Sequence, residues 1–383
     1  MMVSKFSCTH FYDADYDAGK DSMTRKIDMR SDTVTKPTPE MRAAMANAEV
    51  GDDMSGEDPT VNRLEEMCCK LFAKEAAVYC CSGTQSNQMA VWAHCHSGDE
   101  LLIDVGSHIA NFEGGAPAVL SGVTCRTVQG RNGLLELADL EGKIRSDNQH
   151  LARTRLVCVE NTANVGGGTC YSLGALEQIG RWAHANDLRL HMDGARVFNA
   201  VVATGNSPAV ICEHVDTVSV CFSKGLGCPM GSILIGSKDA IYRARRARKL
   251  FGGALRQAGI VAAAAVYALE NHVERLKIDH DNAKLFATEL AKIPGIKLDL
   301  ASVQSNLVFF EIDAQLGNAA QLSYALKQRG LLMGATGGSR LRAVTHLDVS
   351  RDDMVAGAKI VAECVKTGFA DCPGSASGPY ARG

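Results

Sequence analysis

Val218-Ser219-Val220-Cys221-Phe222-Ser223-Lys224-Gly225-Leu226-Gly227 is an apolar run that breaks into a loop of small residues holding one lysine. Such a run, rich in β-branched residues and bounded by glycine, reads as a buried strand. A lysine at its end can be withdrawn from water, which disfavours the charged form and lowers the pKa. An amine in that state can attack a carbonyl and hold it as a Schiff base. The same lysine could equally stand on the surface after an edge strand, and the stretch alone does not decide.

Upstream, Leu188-Arg189-Leu190-His191-Met192-Asp193-Gly194-Ala195-Arg196 ends a second apolar run in an aspartate. A carboxylate there can cap a helix. It can also face the pyridine nitrogen of pyridoxal phosphate and keep it protonated, so that the ring accepts electrons released at Cα. Lys224 follows one strand-plus-helix unit later. Both side chains then emerge at strand ends on one edge of a parallel sheet, where open α/β proteins bind their ligands.

Working outward, helical spacing and the Asp58-Pro59 start predict a helix over 60–73, and 76–80 reads as a strand. Further strands are expected at 101–105, 156–159, 188–192, 217–222 and 232–235, most of them separated by helical stretches such as 173–186. That alternation implies an α/β fold with a mostly parallel sheet covered on both faces. Residues 256–289 read as one long alanine-rich helical stretch, and a second set of strands and helices begins near Ile296. The expected division is an N-terminal extension over 1–26, a large domain over 27–275, a smaller α+β domain over 276–370, and a disordered Gly-, Ser- and Pro-rich tail over 371–383.

The chain resembles the L-threonine aldolases of the aspartate-aminotransferase-like group of pyridoxal phosphate enzymes. The resemblance runs through Met29-Arg30-Ser31-Asp32-Thr33-Val34-Thr35, Gly51-Asp52-Asp53 with Asp58-Pro59-Thr60-Val61, and Ser82-Gly83-Thr84-Gln85-Ser86-Asn87. It continues in Glu160-Asn161-Thr162, in the two stretches quoted above, in Gly252-Gly253-Ala254-Leu255-Arg256-Gln257, and in Arg342-Ala343-Val344-Thr345-His346-Leu347-Asp348. It implies the aminotransferase-like fold, with Lys224 as the Schiff-base lysine and Asp193 as the pyridine partner. His108 would stack on the ring and exchange protons, because imidazole titrates near working pH. The resemblance assigns the cofactor phosphate to Gly83, Thr84 and Gln85. Amides at a helix N-terminus favour an anion, and a glycine lets the backbone come close.

Ser31, Arg196 and Arg342 would hold the substrate's α-carboxylate, a task suited to the guanidinium fork. Arg340 competes with Arg342 from sequence alone, and the following Val344-Thr345-His346 fixes the match on Arg342. Arg256 is assigned to phosphate across a subunit boundary, in a homo-oligomer built as a dimer of dimers. The cluster Arg243, Arg245, Arg246, Arg248 and Lys249 reads as a solvated or subunit-contacting helix face. One departure stands out. Many relatives carry histidine where this chain has Ala163, and loss of a positioned proton-transfer group costs about 10²–10⁴-fold in rate.

Composition is consistent with such an enzyme. A chain of 383 residues that is 46% hydrophobic can bury a large core, and a net charge of −3 gives no reason to expect nucleic acid or an anionic membrane as partner. Its 14 cysteines are scattered, several within apolar runs, and read as reduced core thiols. The doublets Cys68-Cys69 and Cys80-Cys81 lack the spacing of zinc sites, so no metal is expected. The acidic start, with Asp13, Asp15, Asp17 and Asp21, has neither a signal-peptide core nor an arginine-rich address, which leads to a cytoplasmic expectation. The expected reaction is cleavage of L-threonine, L-allo-threonine or a related β-hydroxy-α-amino acid to glycine and an aldehyde. An amino-acid racemase on the same scaffold and a catalytically silent cofactor-binding protein are the alternatives.

Overall fold

The strand ends that carry Asp193 and Lys224 are neighbours in one sheet. A computed structural model describes residues 25–374, and the expected extension up to residue 24 and tail from 375 lie outside them. In chain order the strands are β1 (Ile27–Asp28), β2 (Ala76–Cys80), β3 (Asp99–Asp104), β4 (Thr124–Val128), β5 (Arg153–Glu160), β6 (Arg189–Asp193), β7 (Thr217–Cys221) and β8 (Ser232–Gly236). They are followed by β9 (Ile296–Lys297), β10 (Leu307–Ile312), β11 (Leu331–Leu332), β12 (Gly334–Gly337) and β13 (Arg340–Val344). The main sheet has the order β2-β8-β7-β6-β5-β3-β4. Only β8 runs against the rest.

Alternating side chains bury this sheet on both faces. Val157 and Val159 of β5 join Ile179 of the helix Leu173–Ala185 in the main core, whereas Leu156 and Cys158 pack on the other face with Val91 of the helix Gly83–His94. Each such large apolar side chain contributes about 1.5–3 kcal/mol of burial. The helix Pro59–Phe72 begins where expected: Asp58 accepts from the backbone N–H groups of Thr60 and Val61 at 3.1 and 3.0 Å, and Pro59 opens the first turn.

A second core lies under the antiparallel sheet β12-β13-β10-β9. There Phe286, Leu322, Leu326, Met354 and Val361 pack on Val308, Phe310 and Leu341. Ile27 and Met29, from the segment expected in the large domain, also belong to this second core, and β1 pairs in parallel with β11. Strand pairing outweighs sequence distance here.

Two expectations are corrected. The stretch 256–289 is two helices, Gly259–Asn271 and Leu276–Leu290, with a turn between them where the His272 ring bonds the Leu226 carbonyl through Nδ1 at 2.7 Å. The basic cluster is not a uniformly solvated face. Arg248 is buried, paired with Asp53 at 2.9 Å and donating to the Tyr79 carbonyl at 2.7 Å, while Arg245 pairs with Glu65. Unpaired buried charge is too costly for Arg248 to enter the interior alone, whereas Arg245 stays exposed.

Candidate active site

The carboxyl ends of the parallel strands meet along one edge. Glu160 ends β5, Asp193 ends β6 opposite it in register, and Ser219 of β7 lies opposite Asp193. Past β7 the chain turns sharply around Lys224, whose carbonyl accepts from Gly227 N–H at 2.8 Å. Gly227 has φ 83°, a conformation that favours glycine. After β2, Ser82 caps the helix Gly83–His94 by accepting from Gln85 N–H at 3.2 Å. A Cβ on Gly83 would overlap the Cys221 sulfur, so the missing side chain lets this helix start lie directly on the strand end that leads to Lys224. The Gln85 side chain turns back to accept from Cys81 N–H at 2.9 Å, leaving the first backbone amides and Thr84 at the helix end.

Asp193 is buried and held from two sides. Its Oδ1 accepts from Ala195 N–H at 3.0 Å, and its Oδ2 accepts from Asn87 Nδ2 at 2.9 Å. Asn87 Nδ2 also donates to Glu113 Oε1 at 2.8 Å. That oxygen accepts from His108 Nδ1 at 3.0 Å as well, which fixes the imidazole through one nitrogen and leaves Nε2 for chemistry. Burial would push the His108 imidazole down. The hydrogen bond to Glu113 and the charges of Asp193 and Glu113 outweigh it and raise the imidazole above its ordinary value. Lys224 is half-buried and close enough to act electrostatically on His108, Asp32 and Cys221.

Glu160 ties two loops of the site together. Its oxygens accept from His108 N–H and Asn164 N–H, both at 2.7 Å. Burial, reinforced by the negative charge of Asp193, pushes its carboxyl up to about 7.

The expected carboxylate-binding residues converge on the segment 30–32. Arg196 grips Asp32 with a bidentate pair, Nε to Oδ2 at 2.8 Å and Nη2 to Oδ1 at 2.6 Å, and Asn306 Nδ2 reaches the same Oδ2 at 3.2 Å. Complete burial would raise the Asp32 carboxyl, but Arg196 and Lys224 hold it well below the usual carboxylate range. Arg342, 3% exposed, donates to Asn164 Oδ1 at 3.0 Å and to the Arg30 carbonyl at 3.2 Å. Ser31 lies between these anchors and caps a short turn, accepting from Thr33. Arg340, on the same face of β13 two residues before Arg342, stacks over Phe309 at 4.1 Å and donates to the Val165 carbonyl. Arg256 stands apart: its guanidinium meets Asp52 at 2.8 Å and its side chain is 63% exposed.

Ala163 is buried, with the turn 131–134 seated on it. A Cβ on Gly133 would lie 2.9 Å from the Ala163 methyl, and Thr169 Oγ1 donates to the Asn132 carbonyl at 2.8 Å. The Gly133 backbone therefore lies close against the Ala163 methyl.

Asn87, Glu113, Glu160, His191 and Asp32 complete the constellation without having been expected as site residues. Their only sequence signal is membership in, or closeness to, the quoted blocks; a polar residue inside a helix or strand reveals its partner only once the elements are packed.

Set beside known proteins, residues 28–313 match the family model described as beta-eliminating lyase. The chain is 40% identical over 335 residues to low-specificity L-threonine aldolase 1 of Arabidopsis thaliana, covering 86% of this chain and 94% of that protein. It is 43% identical over 329 residues to the low specificity L-threonine aldolase of Escherichia coli K12, covering 86% and 96%. Among solved structures, a threonine aldolase of Leishmania major superposes with a TM-score of 0.77 at 21% identity, covering 88% of this chain and 99% of that one.

Proposed function

The chain belongs to the beta-eliminating lyase family, whose fold and pyridoxal phosphate cofactor it shares, and from that premise we propose that it cleaves L-threonine, L-allo-threonine or a related β-hydroxy-α-amino acid to glycine and an aldehyde. The observation that carries the reading is the meeting of Lys224, Asp193, His108 and the helix start at Gly83 on one sheet edge, with the buried Arg196 and Arg342 converging on residues 30–32. The donor set fits the cofactor. A buried carboxylate suits a pyridine N–H, a half-buried amine suits its carbonyl, and a helix N-terminus brought close by Gly83 suits its phosphate.

When bound, pyridoxal phosphate supplies an electron-accepting ring that takes up the pair released from the Cα–Cβ bond. Lys224 Nζ would hold the cofactor at its carbonyl carbon, the position the substrate amine also needs. Gly83, Thr84 and Gln85 would hold the phosphate, Gln85 through its side-chain Nε2, since its N–H donates to Ser82 Oγ and its Oε1 accepts from Cys81 N–H. Asp193 holds the proton on the pyridine nitrogen, where charge builds up during bond cleavage. Arg196 and Arg342, with Ser31, bind the α-carboxylate and so orient the Cα–Cβ bond. His108, fixed through Nδ1, would flank the ring and take the β-hydroxyl proton at Nε2, because Ala163 has no group that can. We infer further that Arg256 would leave Asp52 to bind the phosphate of a neighbouring subunit in a cytoplasmic homotetramer, a reading supported by its 63% side-chain exposure.

The test mixes the cofactor-loaded protein with L-threonine, L-allo-threonine, phenylserine and alanine and follows aldehyde release. Glycine with aldehyde is the expected result, and a D-amino acid without aldehyde would establish a racemase instead. Lys224→Ala should lower turnover at least about 10⁴-fold; sustained cleavage by that variant would sink the reading.

A further inference from the structure

We propose that Asn87 and His191 form a buried positioning pair that holds the Asp193 carboxylate in place for the cofactor's pyridine nitrogen, through a hydrogen-bond chain running back along the sheet to Thr217 and His94. The proposal rests on the cofactor reading above and concerns residues to which that reading gives no role.

The bond directions are set from the carboxylate end. Asn87 Nδ2 lies 2.9 Å from Asp193 Oδ2 and 2.8 Å from Glu113 Oε1. Carboxylate oxygens accept, so the amide nitrogen must face them and give one hydrogen to each. Asn87 Oδ1 therefore faces His191 Nε2, 3.2 Å away, and that nitrogen must carry a hydrogen. Burial pushes the His191 imidazole down to about 4, so at neutral pH the ring has only that one hydrogen. Its Nδ1 lies 3.0 Å from the Thr217 hydroxyl and 3.1 Å from the Thr217 carbonyl; with the ring hydrogen drawn to Nε2 by the Asn87 oxygen, the hydroxyl is the donor that meets Nδ1. The same hydroxyl accepts from His94 Nε2 at 3.0 Å, in a ring that burial and the neighbouring His191 push down to about 3. Reversal of the Asn87 amide would set its oxygen against two carboxylates, and the Nε2–H of His191, which needs that oxygen as its acceptor, opposes the reversal from the other end.

The consequence lies at Asp193. Its two oxygens are held by neutral donors, the Asn87 amide and Ala195 N–H. Neither donor cancels its charge, which stays available to a pyridinium. The ionisable groups that act on this carboxylate's surroundings are Glu113, Glu160, His108, His191, Cys158, Cys221 and Lys224. Among them His191 alone meets the Asn87 oxygen.

The experiment uses holoenzyme loaded with cofactor labelled with ¹⁵N in the ring, and reads the ring-nitrogen resonance without substrate, the cofactor dissociation constant, and kcat and KM for L-threonine. His191→Phe should shift the resonance toward the unprotonated pyridine, weaken cofactor binding about 10-fold, and lower kcat by about 10–100-fold at little-changed KM, as outer-shell partners do elsewhere. His191→Gln, which keeps a donor, should restore most of the shift. Thr217→Val, which removes one hydroxyl, should move the resonance the same way by less, and it decides the matter should His191→Phe fail to fold. An unmoved resonance and affinity in loaded variants would overturn the pair alone. A wild-type protein that takes up no cofactor would remove the functional reading and the pair with it.

Discussion

The Glu113 carboxylate, fully buried, holds Asn87, Gln88 and His108 at once. Because its hydrogen bond is the largest influence raising the His108 imidazole, Glu113→Gln should lower that imidazole's pKa, measurable by an NMR pH titration of the ring. The sign carries through to stability. A raised histidine contributes stability below its unfolded value of about 6.5 and loses it as pH rises through the folded value, so wild type should lose more stability than the variant across that window. At Ala163 the expectation is different: restoring a histidine should not restore a catalytic group. Ala163→His would drive a ring into Gly133 and the turn 131–134, at a cost of about 1–3 kcal/mol read as a lower urea midpoint.

Asp58 illustrates how one residue serves an element and its neighbours together. Beyond capping Pro59–Phe72, its Oδ2 accepts from Gly259 N–H at 2.8 Å and Gly51 N–H at 3.3 Å, so the same carboxylate ties down the start of Gly259–Asn271. Asp58→Ala loses the cap and leaves Gly259 N–H without its buried acceptor. The expected cost is about 2–4 kcal/mol, seen in denaturant unfolding. The cap was legible in the Asp58-Pro59 pair. The second role was not, because nothing in the sequence brings residues 58 and 259 together.

Across the whole molecule, the Asp32–Arg196 pair joins the N-terminal segment to the main sheet, and Asn306 adds a link from beside β10. Removal of one partner leaves a buried charge uncompensated, so Asp32→Asn should cost about 3–5 kcal/mol in global unfolding. Asp32 titrates far below the usual range, and a depressed carboxylate contributes stability above its unfolded value of about 3.9 that is lost only as pH falls through the folded value. The stability gap between wild type and Asp32→Asn should therefore be the same at pH 7 and pH 5, and close only in strong acid.

By itself the sequence determined the strands of the main sheet other than β4, the alternation that makes that sheet mostly parallel, and the position at strand ends of the two candidate residues Lys224 and Asp193. Those features are local: a period, a strand end, a small-residue turn and a chemistry-bearing side chain within a few positions of one another. The family blocks added His108, Arg196 and Arg342. Tertiary structure alone decided that Ile27 and Met29 pack with the C-terminal core, that Arg248 is buried on Asp53, and that Gly133 lies against Ala163. It alone also joined Asn87, Glu113 and His191 to Asp193. Hydrogen bonds and buried charges depend on which elements meet and in what register, and no spacing along the chain encodes a partner a hundred residues away.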